Sequence, residues 1–267
     1  MTQTPAEAVA AMRIDAPTRG NRRLERFLEA VNGDEQVKAW WHAQNVMATR
    51  LGMSDHGWVH VRIVLNIALR LSRLLAKAGV EPALVTDHGM KARDAEVAIA
   101  GACLLHDAGM SIHRADHEAY SLFMAQAKLP QLLEGVYDEP ERSIVVAESL
   151  HAIIGHRRRG DPMTVEAGIV RVADALDMAE GRSRVPFEQG RPNIHSLSAV
   201  AIDSVTIDAG EEKAVRIAID MNNSSGLFQV DELLATKLRG SGIEDHVEVI
   251  ARIDAEHEKR LVPVFRI

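Results

Sequence analysis

Apolar residues recur along much of the chain at the three- and four-residue spacing of an amphipathic helix. After Ser54 this spacing is regular, and the apolar positions that follow it are Val64, Ile67, Ala68, Leu71, Leu74 and Leu75. His60 lies four residues before this series, so the pattern predicts its side chain on the same buried stripe. His56 lies about one turn earlier, beside Gly57, and is predicted at the start of the helix.

A second helix is predicted at residues 97–105, where the sequence reads VAIAGACLL. Because this segment is apolar on every side, it is typical of a helix buried within a bundle. It runs directly into His106 and Asp107, and Gly109 is predicted to stop it. The sequence therefore predicts a histidine and an aspartate at the end of a buried helix.

Two more helices are predicted downstream, the first from Ser143 to about His156. The second is predicted from Pro162 to about Glu180, with Asp161 as its N-cap and proline at its first helical position. This last helix is apolar on most faces and carries Asp174 in its middle. A carboxylate is thus predicted inside a second buried helix.

Beyond residue 196 the pattern changes to the two-residue alternation of β-strands. The segments predicted as strands are residues 199–208, 214–221, 246–254 and 260–267. A hairpin is predicted around the polar sequence DAGEEK, and a helix is predicted at Gly226–Leu238. Residues 181–193 are rich in Gly, Pro and Arg, which is typical of a connector.

These patterns predict a mainly α fold, with a helical bundle followed by a small α+β domain. We expect a loose leader at residues 1–20, a helical metal-binding domain at 21–185 and the α+β domain at 196–267. The 267 residues suffice for one or two domains with a buried core. With 46% hydrophobic and 26% charged residues, the composition excludes a disordered or low-complexity chain.

The charge of the chain disfavours long nucleic acids as partners. The formal net charge is −7, and the predicted α+β domain holds 8 Lys and Arg against 13 Asp and Glu. Such a surface provides no positive field along which a polyanion would bind. Aromatic residues make up only 4%, so few rings are available to stack on bases.

The sequence also predicts a cytoplasmic protein without membrane contact. Cys103 is the only cysteine, which excludes a disulfide within the chain and a zinc site made of thiolates alone. The first residues lack the basic and apolar pattern of a secretory signal. No run reaches about 18 consecutive apolar residues, the length that a membrane-spanning helix needs.

Histidines are unusually frequent, with twelve in the chain. The candidate ligands and neighbours between residues 56 and 156 are His56, His60, His106, His113, His117, His151 and His156. Buried carboxylates without a partner cost several kcal/mol, whereas a divalent ion would pair with aspartates and neutral imidazoles together. Such nitrogen and oxygen ligands favour Mn²⁺ or Fe²⁺ here, and also suit Mg²⁺, Ni²⁺ or Zn²⁺.

The order of these residues resembles the H, HD, D signature of the HD-domain metal-dependent phosphohydrolases. The matching motifs are His60 in HVRIV, His106-Asp107 in LLHDAG and Asp174 in VRVADALD. Residues 151–184 are also similar to two HD subgroups, the diadenosine tetraphosphate hydrolases and ribonuclease Y. The resemblance implies that these four side chains hold one metal ion, with His106 and Asp107 as catalytic residues.

The resemblance also implies a second ion, so that one or two are expected per chain. His117 and His156 would complete the second set, with Asp107 shared between both, while His113 or His151 are alternative ligands. Many HD proteins continue HDIGK, but this chain has HDAGM, so Met110 cannot supply the usual lysine. The arginines that we expect to contact substrate phosphates instead are Arg114, Arg157, Arg158, Arg159, Arg182 and Arg184.

The function implied is hydrolysis of a phosphate ester or anhydride by metal-activated water. The expected substrate is a nucleotide or a similar small phosphorylated compound. One alternative is a phosphodiesterase acting on RNA or a cyclic dinucleotide, and another is a sensor that binds a nucleotide or metal without catalysis. A homodimer is expected because strands at the end of a chain often pair across a two-fold axis.

Overall fold

The computed structural model describes residues 4–178 and 194–253. The first of these ranges is helical throughout, with short connections and one 3-10 turn at Ala108–Ser111. Its helices are α1 (Pro5–Ala10), α2 (Arg22–Gly33), α3 (Glu35–Leu51), α4 (Trp58–Lys77), α5 (Ala83–Thr86), α6 (Ala92–Leu105), α7 (His117–Leu132), α8 (Glu141–Gly155) and α9 (Val165–Leu176). The predicted helical bundle is confirmed.

Helix α6 lies at the centre of the bundle. Every residue from Asp94 to Leu105 is buried, and the helix packs against α2, α4, α8 and α9. The sequence VAIAGACLL is apolar on every side because each face of this helix packs against another helix. Trp41 of α3 donates its indole N–H to the Leu104 carbonyl (2.9 Å), which satisfies the carbonyl close to the helix end.

Helix α9 begins and ends differently from the prediction. Its N-cap is Thr164, whose hydroxyl accepts from the Ala167 N–H (3.2 Å), and not Asp161. Asp161 has φ of 42°, a left-handed conformation that does not continue into a helix. The Met163 N–H instead donates to Nε2 of His151, so a contact with α8 fixes this turn. The helix ends at Leu176 rather than at about residue 180.

Gly109 does not act as the predicted helix stop. Helix α6 already ends at Leu105, and Gly109 lies in the following 3-10 turn. A Cβ atom at this position would lie 2.0 Å from the carbonyl oxygen of His117 and 2.7 Å from the Ser121 nitrogen. Glycine is therefore required because the start of α7 approaches the backbone of this turn too closely for any side chain.

The segment expected to be a loose leader contains packed residues. Helix α1 begins with a capping box between Thr4 and Glu7. Met12 and Ile14 are buried in the core, and the backbone of Ile14 exchanges two hydrogen bonds with the Asn32 side chain (2.8 and 3.0 Å). Within residues 4–20 this expectation was wrong, because a complementary amide on α2 holds the segment in place.

The second described range forms the small α+β unit. Helix α10 (Ile194–Val200) leads into strands β1 (Ile202–Ala209) and β2 (Val215–Met221), which pair antiparallel as the predicted hairpin. Strand β3 (Val247–Ile253) pairs parallel with β2, giving the order β1-β2-β3. The predicted strand at residues 260–267 lies outside the described residues.

The connection between β2 and β3 runs over the helical bundle. The helix predicted at Gly226–Leu238 is present as a 3-10 turn (Ser224–Gly226), a π-helix (Gln229–Ala235) and the short helix α11 (Thr236–Leu238). A Cβ atom on Gly168 of α9 would lie 2.0 Å from the Ser241 carbonyl oxygen, so this connection lies directly on α9. Among the described helices, none is both long enough and apolar enough to cross a bilayer.

Candidate metal centre

Four side chains predicted from the H, HD, D motif meet at the centre of the bundle. His60 lies in α4, Asp174 lies in α9, and His106 and Asp107 directly follow α6. Nε2 of His60 lies 3.2 Å from Nε2 of His106, 3.3 Å from Oδ1 of Asp174 and 3.5 Å from Oδ2 of Asp107. We call these four residues the first ligand set.

The other ring nitrogens of the two histidines are already hydrogen bonded. Nδ1 of His106 donates to the Cys103 carbonyl (2.8 Å), and Nδ1 of His60 donates to the Asp177 carboxylate (2.6 Å). In neutral imidazoles these bonds leave the lone pair on Nε2. The two lone pairs then face each other and two carboxylate oxygens. These electron-rich atoms repel one another unless a cation lies between them.

A second group of donors faces the other oxygen of Asp107. Nε2 of His117, in the first turn of α7, lies 3.1 Å from Oδ1 of Asp107. Nε2 of His156, directly after α8, lies 4.0 Å from the same oxygen. Asp107 thus presents Oδ2 to the first ligand set and Oδ1 to these two imidazoles, which we call the second ligand set together with Asp107.

The charges of these groups support ligand roles at neutral pH. Burial acts to raise the pKa of Asp107, but the imidazoles of His106, His117 and His60 outweigh it and hold the pKa well below its usual range. Burial, together with the charges of His106 and Lys237, lowers the pKa of His156 to about 3. Asp107 is therefore ionised and His156 neutral, which are the forms that bind metals.

His156 and His117 are oriented by their Nδ1 atoms. Nδ1 of His156 donates to the Ile153 carbonyl (2.5 Å), which directs Nε2 toward Asp107. Nδ1 of His117 lies 3.0 Å from the Arg114 carbonyl and 3.2 Å from Oε2 of Glu118. Burial acts to lower the pKa of His117, but its hydrogen bond with Asp107 raises it.

Two alternative ligands from the sequence lie elsewhere. Nε2 of His151 accepts a hydrogen bond from the Met163 N–H (3.0 Å), and Nδ1 of His113 accepts from the Ala115 N–H (3.0 Å). His113 is exposed. His117 and His156, and not these two histidines, contact Asp107.

Four of the predicted phosphate-binding arginines, Arg114 and Arg157–Arg159, lie close in the sequence to histidines of the second ligand set. Nη1 of Arg114 lies 2.8 Å from Nδ1 of His117. Arg157, Arg158 and Arg159 directly follow His156 and are exposed, and Arg158 pairs with Glu232 at 3.4 Å. Arg182 and Arg184 lie outside the described residues.

Three residues at the centre were not expected from the sequence. Asp177 orients His60, and Glu118 lies beside His117 and groups with His117 and His156 as a candidate ligand. Lys237 of α11 contacts Oδ2 of Asp174 with its ammonium group. The spacing of Asp174 and Asp177, three residues apart on a predicted helix, is a signal that could have identified the second aspartate.

Comparison with known proteins identifies the family of the chain. The HD domain family model matches residues 57–179, a range that contains all four residues of the first ligand set. The chain belongs to the HD-domain superfamily of metal-dependent phosphohydrolases.

Among curated proteins, the chain is similar to "Uncharacterized protein MJ1020" of Methanocaldococcus jannaschii. The two are 38% identical over 224 residues, which cover 84% of this chain and 86% of the relative. No solved structure matches the chain. Because 224 residues align, the similarity extends beyond the HD domain at residues 57–179.

Proposed function

We propose that the protein is a two-metal phosphohydrolase that cleaves a phosphate ester or anhydride of a nucleotide or similar small compound. The observation that carries the proposal is the position of Asp107. Its two carboxylate oxygens face two different groups of imidazoles, His60 with His106 and His117 with His156. A shared carboxylate of this kind is what a pair of neighbouring divalent ions requires.

The donor chemistry fits divalent ions with nitrogen and oxygen ligands. The first ligand set offers two imidazoles and two carboxylates, and the second offers two imidazoles, the shared carboxylate and the nearby Glu118. No thiolate takes part, so nothing selects a structural zinc site. This mixture supports Mn²⁺ or Fe²⁺ as the preferred ions.

In the proposed reaction, the side chains of the two ligand sets bind and orient the metal ions. The two ligand sets would hold ions whose Lewis-acid chemistry would acidify water and polarise a phosphoryl oxygen. Hydrogen bonds from His60 to Asp177 and from His106 to Cys103 fix both rings, so the donors need no reorganisation. Burial of the first ligand set in the bundle excludes bulk water from one side.

The surroundings support a small phosphorylated substrate. Arg157, Arg158 and Arg159 form an exposed basic turn next to His156, and Arg114 lies beside His117. These cations would neutralise phosphate groups approaching the second ligand set. The acidic character of the rest of the chain disfavours a long polyanion.

Metal analysis combined with an unbiased phosphate-release screen tests this function. Protein purified without chelator is expected to contain divalent metal and to release phosphate from at least one nucleotide, dinucleoside polyphosphate or phosphomonoester. Asp107→Asn should abolish turnover, because the neutral amide cannot balance the charge of two ions. A metal-loaded protein that is inert toward the whole panel would refute the proposal.

The same variant separates an enzyme from a sensor. An enzyme should lose turnover on Asp107→Asn, whereas a bundle that only binds a nucleotide shows no turnover as wild type and should keep its ligand in the variant. An RNA or cyclic-dinucleotide phosphodiesterase would instead be recognised by its diester products. Binding of long RNA would weaken steeply with salt, since each phosphate contact releases counterions.

A further inference from the structure

Lys237 belongs to the α+β unit but reaches the metal centre of the helical bundle. Its ammonium nitrogen contacts Oδ2 of Asp174, whose other oxygen lies 3.3 Å from Nε2 of His60. The side chain of Lys237 is only 18% exposed. The carboxylate of Asp174 therefore directs one oxygen toward the first ligand set and the other toward this lysine.

The backbone of Lys237 is held in place by one face of α9. Gly168, Arg171 and Asp174 follow one another at three-residue intervals and all contact the connection between β2 and β3. Arg171 is buried and donates Nε–H to the Lys237 carbonyl (2.8 Å). Close packing and a partly buried hydrogen bond thus position the backbone of this lysine.

Arg171 also links this lysine to the turn that follows His156. Its guanidinium donates to the carbonyls of Arg157 (2.8 Å) and Arg158 (3.0 Å). Lys237 and the turn next to the second ligand set are therefore fixed by the same side chain. This arrangement brings a cation from the α+β unit and the basic turn to the same centre.

A divalent ion would change the electrostatic role of Lys237. Without an ion, the ammonium balances the charge of Asp174. If the first ligand set held an ion, Asp174 would be balanced by that ion and the ammonium of Lys237 would be repelled. A phosphate group at this centre would then offer the lysine a second anion, and lysine is a common phosphate-binding residue.

We propose that Lys237 binds the phosphate group of the substrate and that the α+β unit thereby completes the active centre. The inference rests on the proposed phosphohydrolase function. It also accounts for Met110, which is fully buried and uncharged at the position where many HD proteins carry lysine. Here the cation would come from a different part of the fold.

Binding of inorganic phosphate to the full-length, Mn²⁺-loaded protein tests the proposal without knowledge of the substrate. Isothermal titration calorimetry should show that Lys237→Met binds phosphate about 10- to 100-fold more weakly than wild type, the loss expected for one charge-assisted hydrogen bond. Metal stoichiometry should remain unchanged. Lys237→Arg should recover part of the affinity, because it keeps the charge.

Lys213→Met is the matched control. Lys213 lies in the same unit, is exposed and donates to the Glu244 carbonyl (3.0 Å), so its loss should leave phosphate binding unchanged. Lys237→Gln provides a second neutral variant if the methionine variant folds poorly, as judged by circular dichroism. A neutral variant that is folded and metal-loaded but binds phosphate weakly supports the proposal.

The failure of this inference differs from the failure of the proposed function. If wild type and a neutral Lys237 variant bind phosphate equally well and only with Mn²⁺, the phosphohydrolase centre stands and the lysine proposal is overturned. Loss of metal together with phosphate in that variant would also overturn it, because the lysine would then be structural. If wild type binds Mn²⁺ but no phosphate, the lysine proposal is overturned, whereas the proposed function fails only if the phosphate-release screen also finds no substrate.

Discussion

Replacing Gly109 by alanine should disturb the second ligand set and leave the first ligand set in place. A Cβ atom there would lie 2.0 Å from the His117 carbonyl oxygen, whereas an ordinary contact begins at 3.4 Å, so the start of α7 must move by about 1.4 Å. His117 is the first residue of α7 and moves with it. The residues of the first ligand set come from α4, α6 and α9, so their geometry should persist.

The expected cost follows from the size of this overlap. Overpacking of a tight contact typically costs about 1–3 kcal/mol. At about 3 °C per kcal/mol for a chain of this size, the melting temperature should fall by roughly 3–9 °C. Displacement of His117 should lower the metal affinity of the weaker site by about 10- to 100-fold, the loss typical of a disturbed ligand environment.

Differential scanning fluorimetry and a stepwise Mn²⁺ titration measure the two effects. Gly33→Ala is the control, because a Cβ atom on this last residue of α2 would meet nothing within 4 Å. That variant should keep wild-type metal binding and melt at the wild-type temperature or slightly above it. If Gly109→Ala melts like Gly33→Ala and binds as many ions with wild-type affinity, the reasoning about this close approach is refuted.

Further predictions concern the residues that surround the ligands. Asp177→Asn should weaken Mn²⁺ binding by about 10- to 100-fold, since Nδ1 of His60 loses its carboxylate partner; an unchanged titration would contradict this. Arg171→Met removes the donor from the carbonyls of Lys237 and Arg157 and should lower the free energy of unfolding in urea by about 2–4 kcal/mol. Removal of bound metal by a chelator should lower the melting temperature. Adding Mn²⁺ back to a free concentration 100-fold above Kd should restore about 2.7 kcal/mol of the free energy of unfolding. His156→Ala should lose an ion by elemental analysis while His151→Ala keeps it, and equal loss from both would contradict the assignment.

The first ligand set could be predicted because its signals are local. Helix α6 is apolar on every side, and the order of His60, His106-Asp107 and Asp174 follows a known motif. Periodicity located His60 and Asp174 on buried helices and His106-Asp107 at the end of another, and the structure brings the four together. The strands β1 and β2 were predictable for the same reason, since a hairpin depends on neighbouring residues.

Features that depend on distant contacts could not be predicted. Asp161 followed by proline is a strong local cap signal, but the contact between His151 and the Met163 N–H moves the start of α9 to Val165. Lys237 lies 63 residues from its partner Asp174, and no local pattern connects the two. Such contacts are decided by how whole elements pack.

The only cysteine of the chain provides a natural reporter of how often the active centre opens. Cys103 is fully buried one turn before His106, and burial raises the pKa of its thiol, which suppresses the reactive thiolate. A thiol reagent can therefore modify it only when α6 separates from its neighbours. The modification rate, followed with and without Mn²⁺, would report the protection that the ion gives to the centre of the bundle without any engineered label.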